Sequence, residues 1–381
     1  MDLVCFSHLR WNFVYQRPQH LLTRFSKHYR VFYIEEPILE QRDSDFLQVN
    51  NPENNIWIVT PHLPEGTYNE DAIQNRQKLL LKAFFNDLNI QKYIFWYYTP
   101  MALGLGNAFQ PEVIVYDCMD ELSNFKFAPP ILKTRERELF EKADIVFTGG
   151  HNLYKAKKNL HHNIHAFPSS IDKAHFEQAR SNEKDPEDQK SIPHPRFGFY
   201  GVIDERMDIE LLREVAEKRP DWHLVIIGPV VKIDPATLPR YNNIHYLGGK
   251  NYNELPMYLS GSDIATIPFV LNESTEFISP TKTPEYLSGG KPVISTSIID
   301  VVKPYGDEKI VHIADTADEF ISSAEKELSV ADKSAWLEKV DHFLASNSWD
   351  NTWEQMMEHI QEALIKKNNN IHPNLKQKSY V

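Results

Sequence analysis

Short apolar runs and helix-spaced segments alternate along this chain, and the alternation runs twice, once on each side of a long polar stretch. In the first half, residues 3–7, 31–34, 56–60, 93–97, 113–116 and 145–148 read as short uninterrupted strands, the pattern of strands covered on both faces. Between them, 19–27, 74–86 and 134–142 have helical spacing. In the second half, strands are expected at 197–200, 223–227, 244–247, 264–267 and 292–295, and helices at 208–218 and 253–260. Strands joined through helices must cross over and lie parallel, so each half reads as a doubly wound, Rossmann-like α/β layer. The stretch 177–195, EQARSNEKDPEDQKSIPHP, offers almost no core-forming side chains and reads as the link between the two. Ligands of such folds lie at the carboxyl ends of the strands.

A length of 381 residues suffices for two cores, and a hydrophobic fraction of 41% belongs to a globular chain. The net charge of -12 argues against a nucleic-acid partner, which calls for a basic face. Cys5 and Cys118, both inside apolar runs, read as reduced core residues, which implies a cytoplasmic protein. The N-terminus enters a strand at once, and no run of about 18 apolar residues exists, so neither secretion nor membrane spanning is expected. No H-E-x-x-H, matched Cys/His cluster or G-x-S-x-G elbow is present, and neither a metal nor a cofactor is expected.

The segment 278–296, ISPTKTPEYLSGGKPVIST, carries the densest chemistry. Thr281 or Thr283 can cap a helix that begins near Lys282 and tolerates Pro284 in its first turn. Gly289 and Gly290 supply the stop. Free amides at the helix start and the Lys282 ammonium suit phosphate, while Glu285, three residues on and on the same face, can accept two hydrogen bonds from a diol such as ribose. A capped surface helix with a solvated Lys and Glu is the alternative reading.

The run Pro-x-Lys-x-x-Glu-Tyr-Leu-x-x-Gly-Lys-Pro-Val-Ile resembles the donor-site signature of GT-B glycosyltransferases, in particular glycosyltransferase family 4 and its bacterial cell-surface polysaccharide members. The resemblance implies two Rossmann-like domains facing each other across a cleft. It also implies ribose binding by Glu285 and diphosphate binding by Lys282, with Thr281 beside them. Many members carry an earlier glutamate, in an E-x7-E pattern, that contacts the donor sugar; here that position is Phe277, and Glu276 or Glu273 are the substitutes.

Three further loops follow strand ends. Gly201 lets a ligand approach the backbone after 197–200, and Arg206 is the candidate second cation for the diphosphate, or a surface arginine paired with Glu205 or Asp208. The run HLRWNFVYQRPQH from His8 to His20 resembles the N-terminal signature of bacterial polysaccharide glycosyltransferases, with Arg10, Trp11, Gln16 and Arg17 as cleft or acceptor residues; its rings could equally pack beneath the loop. After 113–116, Asp120 and then Asp117 are candidate catalytic carboxylates, to take a proton or steady charge at an anomeric carbon, with turn formation as the alternative.

The resulting expectation is a metal-independent, retaining hexosyltransferase. It would move a sugar from a UDP- or GDP-sugar, a substrate rather than a cofactor, to a saccharide or lipid-linked acceptor in polysaccharide synthesis. Expected bounds are an acceptor domain at 1–176, a linker at 177–195, a donor domain at 196–345, a helix at 346–366 returning to the first domain, and a frayed tail at 367–381. Lys155, Lys157 and Lys158 with His161, His162 and His165 suit a peripheral contact with the inner face of the cell membrane, or a solvated helix end. A sugar-nucleotide epimerase and a non-catalytic GT-B partner in an assembly complex are the competing readings.

Overall fold

A computed structural model describes residues 1–66, 69–181 and 184–371. The first sheet contains β1 (Asp2–Phe6), β2 (Arg30–Ile34), β3 (Ile38–Glu40), β4 (Phe46–Glu53), β5 (Ile56–Pro64), β6 (Tyr93–Tyr97), β7 (Val113–Cys118), β8 (Ile145–Thr148) and β9 (Ile164–Ala166). Their order is β3-β5-β2-β1-β6-β7-β8-β9, with β4 antiparallel on β5 and the other pairings parallel. The second sheet runs β12-β11-β10-β13-β14-β15. It is built from β10 (Arg196–Tyr200), β11 (His223–Ile227), β12 (Ile244–Tyr246), β13 (Ile264–Ile267), β14 (Val293–Ser295) and β15 (His312–Ile313), all parallel.

The continuous apolar runs follow from this layering. On β1, Leu3 and Cys5 face the helices Arg17–Phe25 and Trp349–Ile371, while Val4 and Phe6 face Leu81 and Phe85 of the helix Glu70–Asp87. Every β1 side chain is thereby taken from water, about 2 kcal/mol for each large apolar one. The second sheet is covered in the same way by Leu211, Leu212 and Val215 of the helix Ile209–Lys218 and by Tyr286 and Leu287 of the helix Lys282–Ser288.

Strand order switches from one side to the other between β1 and β6 in one sheet and between β10 and β13 in the other, with the strands parallel throughout. The loops leaving those strands open onto crevices, the usual place for a ligand in such sheets.

Several elements differ from expectation. The hairpin β4–β5 is not announced by apolar pattern, because β4, FLQVNNPE, is an exposed edge. The stretch 177–195, of which 182 and 183 lie outside the described residues, is packed rather than free. Ala179 and Ile192 join the second core, the fully buried Gln189 donates to the Tyr258 carbonyl, and Asp185 pairs with the buried Arg196. Ile171 and Phe176 belong to that core too. The long final helix buries Trp349, Met356 and Ile360 against the first sheet. It continues through 367–371, where Lys367 is anchored to Asp144 at 2.8 Å, so only 372–381 of the expected tail lies outside the described residues. No helix of the described residues is long and apolar enough to cross a membrane.

Candidate functional site

A cleft of about 680 Å³ lies between the two sheets, lined among others by the loops that leave β1 and β10. Two glycines shape its floor. Gly201 after β10 has φ +142° and Gly228 after β11 has φ +148°, a region that side chains rarely adopt. A Cβ on Gly201 would collide with Cε and Nζ of Lys282, and one on Gly228 would collide with the Gly201 carbonyl oxygen. The bare backbone therefore lets Lys282 lie across the strand ends.

Lys282 opens the helix Lys282–Ser288, with its ammonium 5.5 Å and 5.7 Å from the ring centroids of Phe199 and Phe269. Burial and the neighbouring Arg206 push its pKa down, while Glu285, Asp204 and Asp120 pull it up. Burial pushes Glu285 up, opposed by Lys282 and by the hydroxyl of Tyr200, which donates to Oε2 at 3.0 Å. Tyr286 from the same helix accepts from the Tyr200 amide at 3.0 Å, so the helix face and β10 are locked together. Thr281 lines the cleft at the N-cap position, but with helical φ and ψ its hydroxyl caps nothing, contrary to the expected capping role. Gly290, at φ +74°, supplies the left-handed residue that ends the helix.

Arg206 reaches the cleft between the rings of Phe125 and Phe269, and its partner is Asp204 rather than Glu205 or Asp208. Nε and Nη2 clasp the Asp204 carboxylate at 2.9 and 2.7 Å. This orients the guanidinium as a second cation beside Lys282. Asp120 faces both from the first half, and burial raises its pKa to about 6 against the pull of Arg206 and Arg17.

Other expected site residues are placed elsewhere. Asp117 is fully buried and clasped by Arg17 Nε and Nη2 at 3.0 and 2.8 Å, so it cannot serve a substrate. Burial pushes its carboxyl up, and the two-pronged clasp of Arg17 opposes that. Arg17 touches the cleft wall, but its guanidinium is occupied by Asp117 and the Phe167 carbonyl. Arg10 turns away to Glu35 and the Glu36 carbonyl, outside the cleft. Trp11 contributes to the wall as a packed ring, 6% exposed and edge-on to Tyr33. Gln16 lines the cleft while forming a capping box with Gln19. Glu276 is exposed and outside the cleft lining, with its carbonyl held by Asn152, and Phe277 packs against the first core. Lys157 is no surface cation: Glu121 and Glu136 hold it at 2.7 and 2.8 Å.

Residues missed by the sequence reading complete the wall. Tyr200 reads as an ordinary strand residue until its hydroxyl meets Glu285. Asp204 two residues before Arg206 is a local signal that could have been found. Tyr252 comes from a turn with no motif. Asp300 is not part of the cleft lining but ties the two halves together, accepting from the amides of His151 and Asn152 at 2.8 and 2.9 Å.

Comparisons with known proteins bear on this arrangement. Residues 194–330 match the sequence model of the glycosyl transferases group 1 family. TuaH of Bacillus subtilis (strain 168), named as a teichuronic acid biosynthesis glycosyltransferase, is 24% identical over 294 residues, 71% of this chain and 72% of its own length. Sucrose-phosphate synthase of Thermosynechococcus elongatus superposes with a TM-score of 0.69 at 14% identity, over 96% of this chain and 99% of that one. A trehalose-phosphate synthase (UDP-forming) of Burkholderia xenovorans gives 0.68 at 12%, over 95% and 100%. Anabaena HepE, solved with UDP and glucose, gives 0.67 at 11%, over 95% and 99%. The fold is GT-B, and the family match together with the TuaH relative supports a glycosyltransferase.

Proposed function

We propose that this chain transfers a sugar from a UDP- or GDP-sugar to a saccharide or lipid-linked acceptor in cell-surface polysaccharide synthesis. The carrying observation is the pair of partly exposed Lys282 and buried Glu285, one helical turn apart beside the bare backbone of Gly201. Glu285 would accept from the ribose diol, and Lys282 with the oriented Arg206 would neutralise the diphosphate without a metal. The resemblance to a retaining family supports same-face attack. In that step the bond from the anomeric carbon to the diphosphate oxygen breaks, and the oxygen keeps both electrons. The acceptor oxygen bonds to that carbon, and its proton passes to the departing phosphate. Asp120, ionised, would steady the positive charge at the anomeric carbon. The loop at 11–16 would take the acceptor.

We assign the reaction to the cytoplasmic face of the inner membrane. Lys155 and Lys158 remain for a peripheral contact there, since Lys157 is buried. The displacement of Glu276 and Phe277 from the cleft favours one second reading, a GT-B partner without turnover.

A thermal-shift screen of UDP, GDP, ADP and TDP on the protein and on Glu285→Ala tests the donor site. A ligand at a hundred times its Kd stabilises by about 2.7 kcal/mol. One nucleotide should shift the protein and leave Glu285→Ala unmoved; no shift with any of the four contradicts the assignment. Product release from the matching sugar nucleotide, with and without acceptor saccharides, then separates transfer from epimerisation and from the inactive partner.

A further inference from the structure

Tyr252 is the middle ring of a stack assembled from distant parts of the chain. Tyr15 lies on one side at 4.4 Å and His175 on the other at 4.3 Å, while His20 and Phe176 meet it edge-on at 5.4 and 5.7 Å. His175 is further pinned by the Tyr252 carbonyl, 3.0 Å from its Nε2. Rings held on both sides and at the edges fix where the phenol oxygen points. That oxygen is buried and has no hydrogen-bond partner among the described residues. A buried hydroxyl left unbonded costs about 1–3 kcal/mol, and a phenylalanine would stack as well without that penalty. Burial and the nearby Glu285 carboxylate hold the phenol in its protonated form, so it is available as a donor. Tyr252 and Glu285 line the same cleft.

We propose that Tyr252 is a further specificity-determining residue, its hydroxyl hydrogen-bonding a ribose hydroxyl of the nucleotide that Glu285 holds. A ribose hydroxyl can donate to the carboxylate and accept from the phenol at once, which satisfies both groups. The inference rests on the nucleotide reading of the cleft. It adds that the ring stack, drawing on Tyr15 of the first half, aims a recognition group at the sugar of the nucleotide.

The test compares the wild-type protein, Tyr252→Phe and Glu285→Ala by calorimetric titration with UDP and GDP and with their 2′-deoxy and 3′-deoxy forms. In Tyr252→Phe the unliganded melting temperature should hold or rise, and affinity for the preferred nucleotide should fall about tenfold. The wild-type preference for ribose over one of the deoxy forms should collapse in the same variant. If Tyr252→Phe binds as tightly as wild type while Glu285→Ala does not, the hydroxyl has no part in recognition and the nucleotide site stands without it. A drop of several degrees in unliganded Tyr252→Phe would give the hydroxyl to the fold and overturn the inference. Absence of nucleotide binding by the wild type would remove the inference and the site reading together.

Discussion

The loop after β1 and the helix Lys282–Ser288 offer the cleft the same kinds of side chain, cations beside apolar rings, yet they use them in opposite ways. Arg10 and Arg17 are both taken up by carboxylates, Glu35 at 2.9 Å and Asp117 at 2.8 Å. Lys282 sits over two aromatic rings, and among the described residues no carboxylate forms an ion pair with it. A cation with a carboxylate in its grasp holds a fold together, whereas one held against rings without a carboxylate partner is left to meet the charge of a ligand. Arg206 stands between the two cases. Asp204 grips one edge of its guanidinium, which orients it without removing it from the cleft wall.

The sharpest way to break this comparison is to neutralise each cation. Arg17→Leu leaves Asp117 charged and fully buried, and loss of one partner from a buried pair costs about 3–5 kcal/mol. Urea denaturation should show that loss, and a variant as stable as wild type would mean Arg17 is free for substrate. Lys282→Met should keep or improve stability, because a desolvated cation is exchanged for an apolar chain of similar length. Its nucleoside diphosphate affinity should fall about ten- to a hundredfold, measured by titration calorimetry. Equal affinity in the variant would place the diphosphate elsewhere.

The smallest expected effect is a pH dependence from Asp120, whose pKa burial raises to about 6. The ionised form is the useful one, so transfer should fall on acidification through that pH, separately from any loss on the alkaline side where Lys282, its pKa pushed down by burial, gives up its charge. One unit below the midpoint the ionised fraction is about a tenth, and the rate should follow it. A rate that stays flat down to pH 5 in the wild type, with Asp120→Asn unimpaired, would remove Asp120 from the chemistry.

Legibility in the sequence divides along the range of the interactions. The two sheets were readable because unbroken apolar runs such as LVCF and YIFWY suit only strands covered on both faces, and the second sheet repeats the sign. The spacing of Lys282 and Glu285 was readable because both lie on one turn, and both do line the cleft. Pairings between separate elements were not: nothing near Arg17 announces Asp117, and nothing near Lys157 announces Glu136 and Glu121. Composition also misjudged 177–195. The segment is polar by count, but Gln189 and Asp185 find buried partners and Ala179 and Ile192 join the second core. Polar segments read as linkers can be cladding when their side chains satisfy otherwise unpaired backbone groups. Glu276 failed for a related reason, since the chain at 276–277 is drawn to the first half by Asn152 and by packing of Phe277.

The central claim is that Lys282, without an ion-pair partner among the described residues, and the Glu285 carboxylate together hold a nucleoside diphosphate, and a crystal structure of the protein with UDP or GDP tests it most directly. The account predicts the ribose hydroxyls within hydrogen-bond distance of Glu285 and a phosphate oxygen within that distance of Lys282 Nζ. A nucleotide bound away from both, or a Lys282 ammonium found paired to a protein carboxylate with the diphosphate on Arg17, would contradict it.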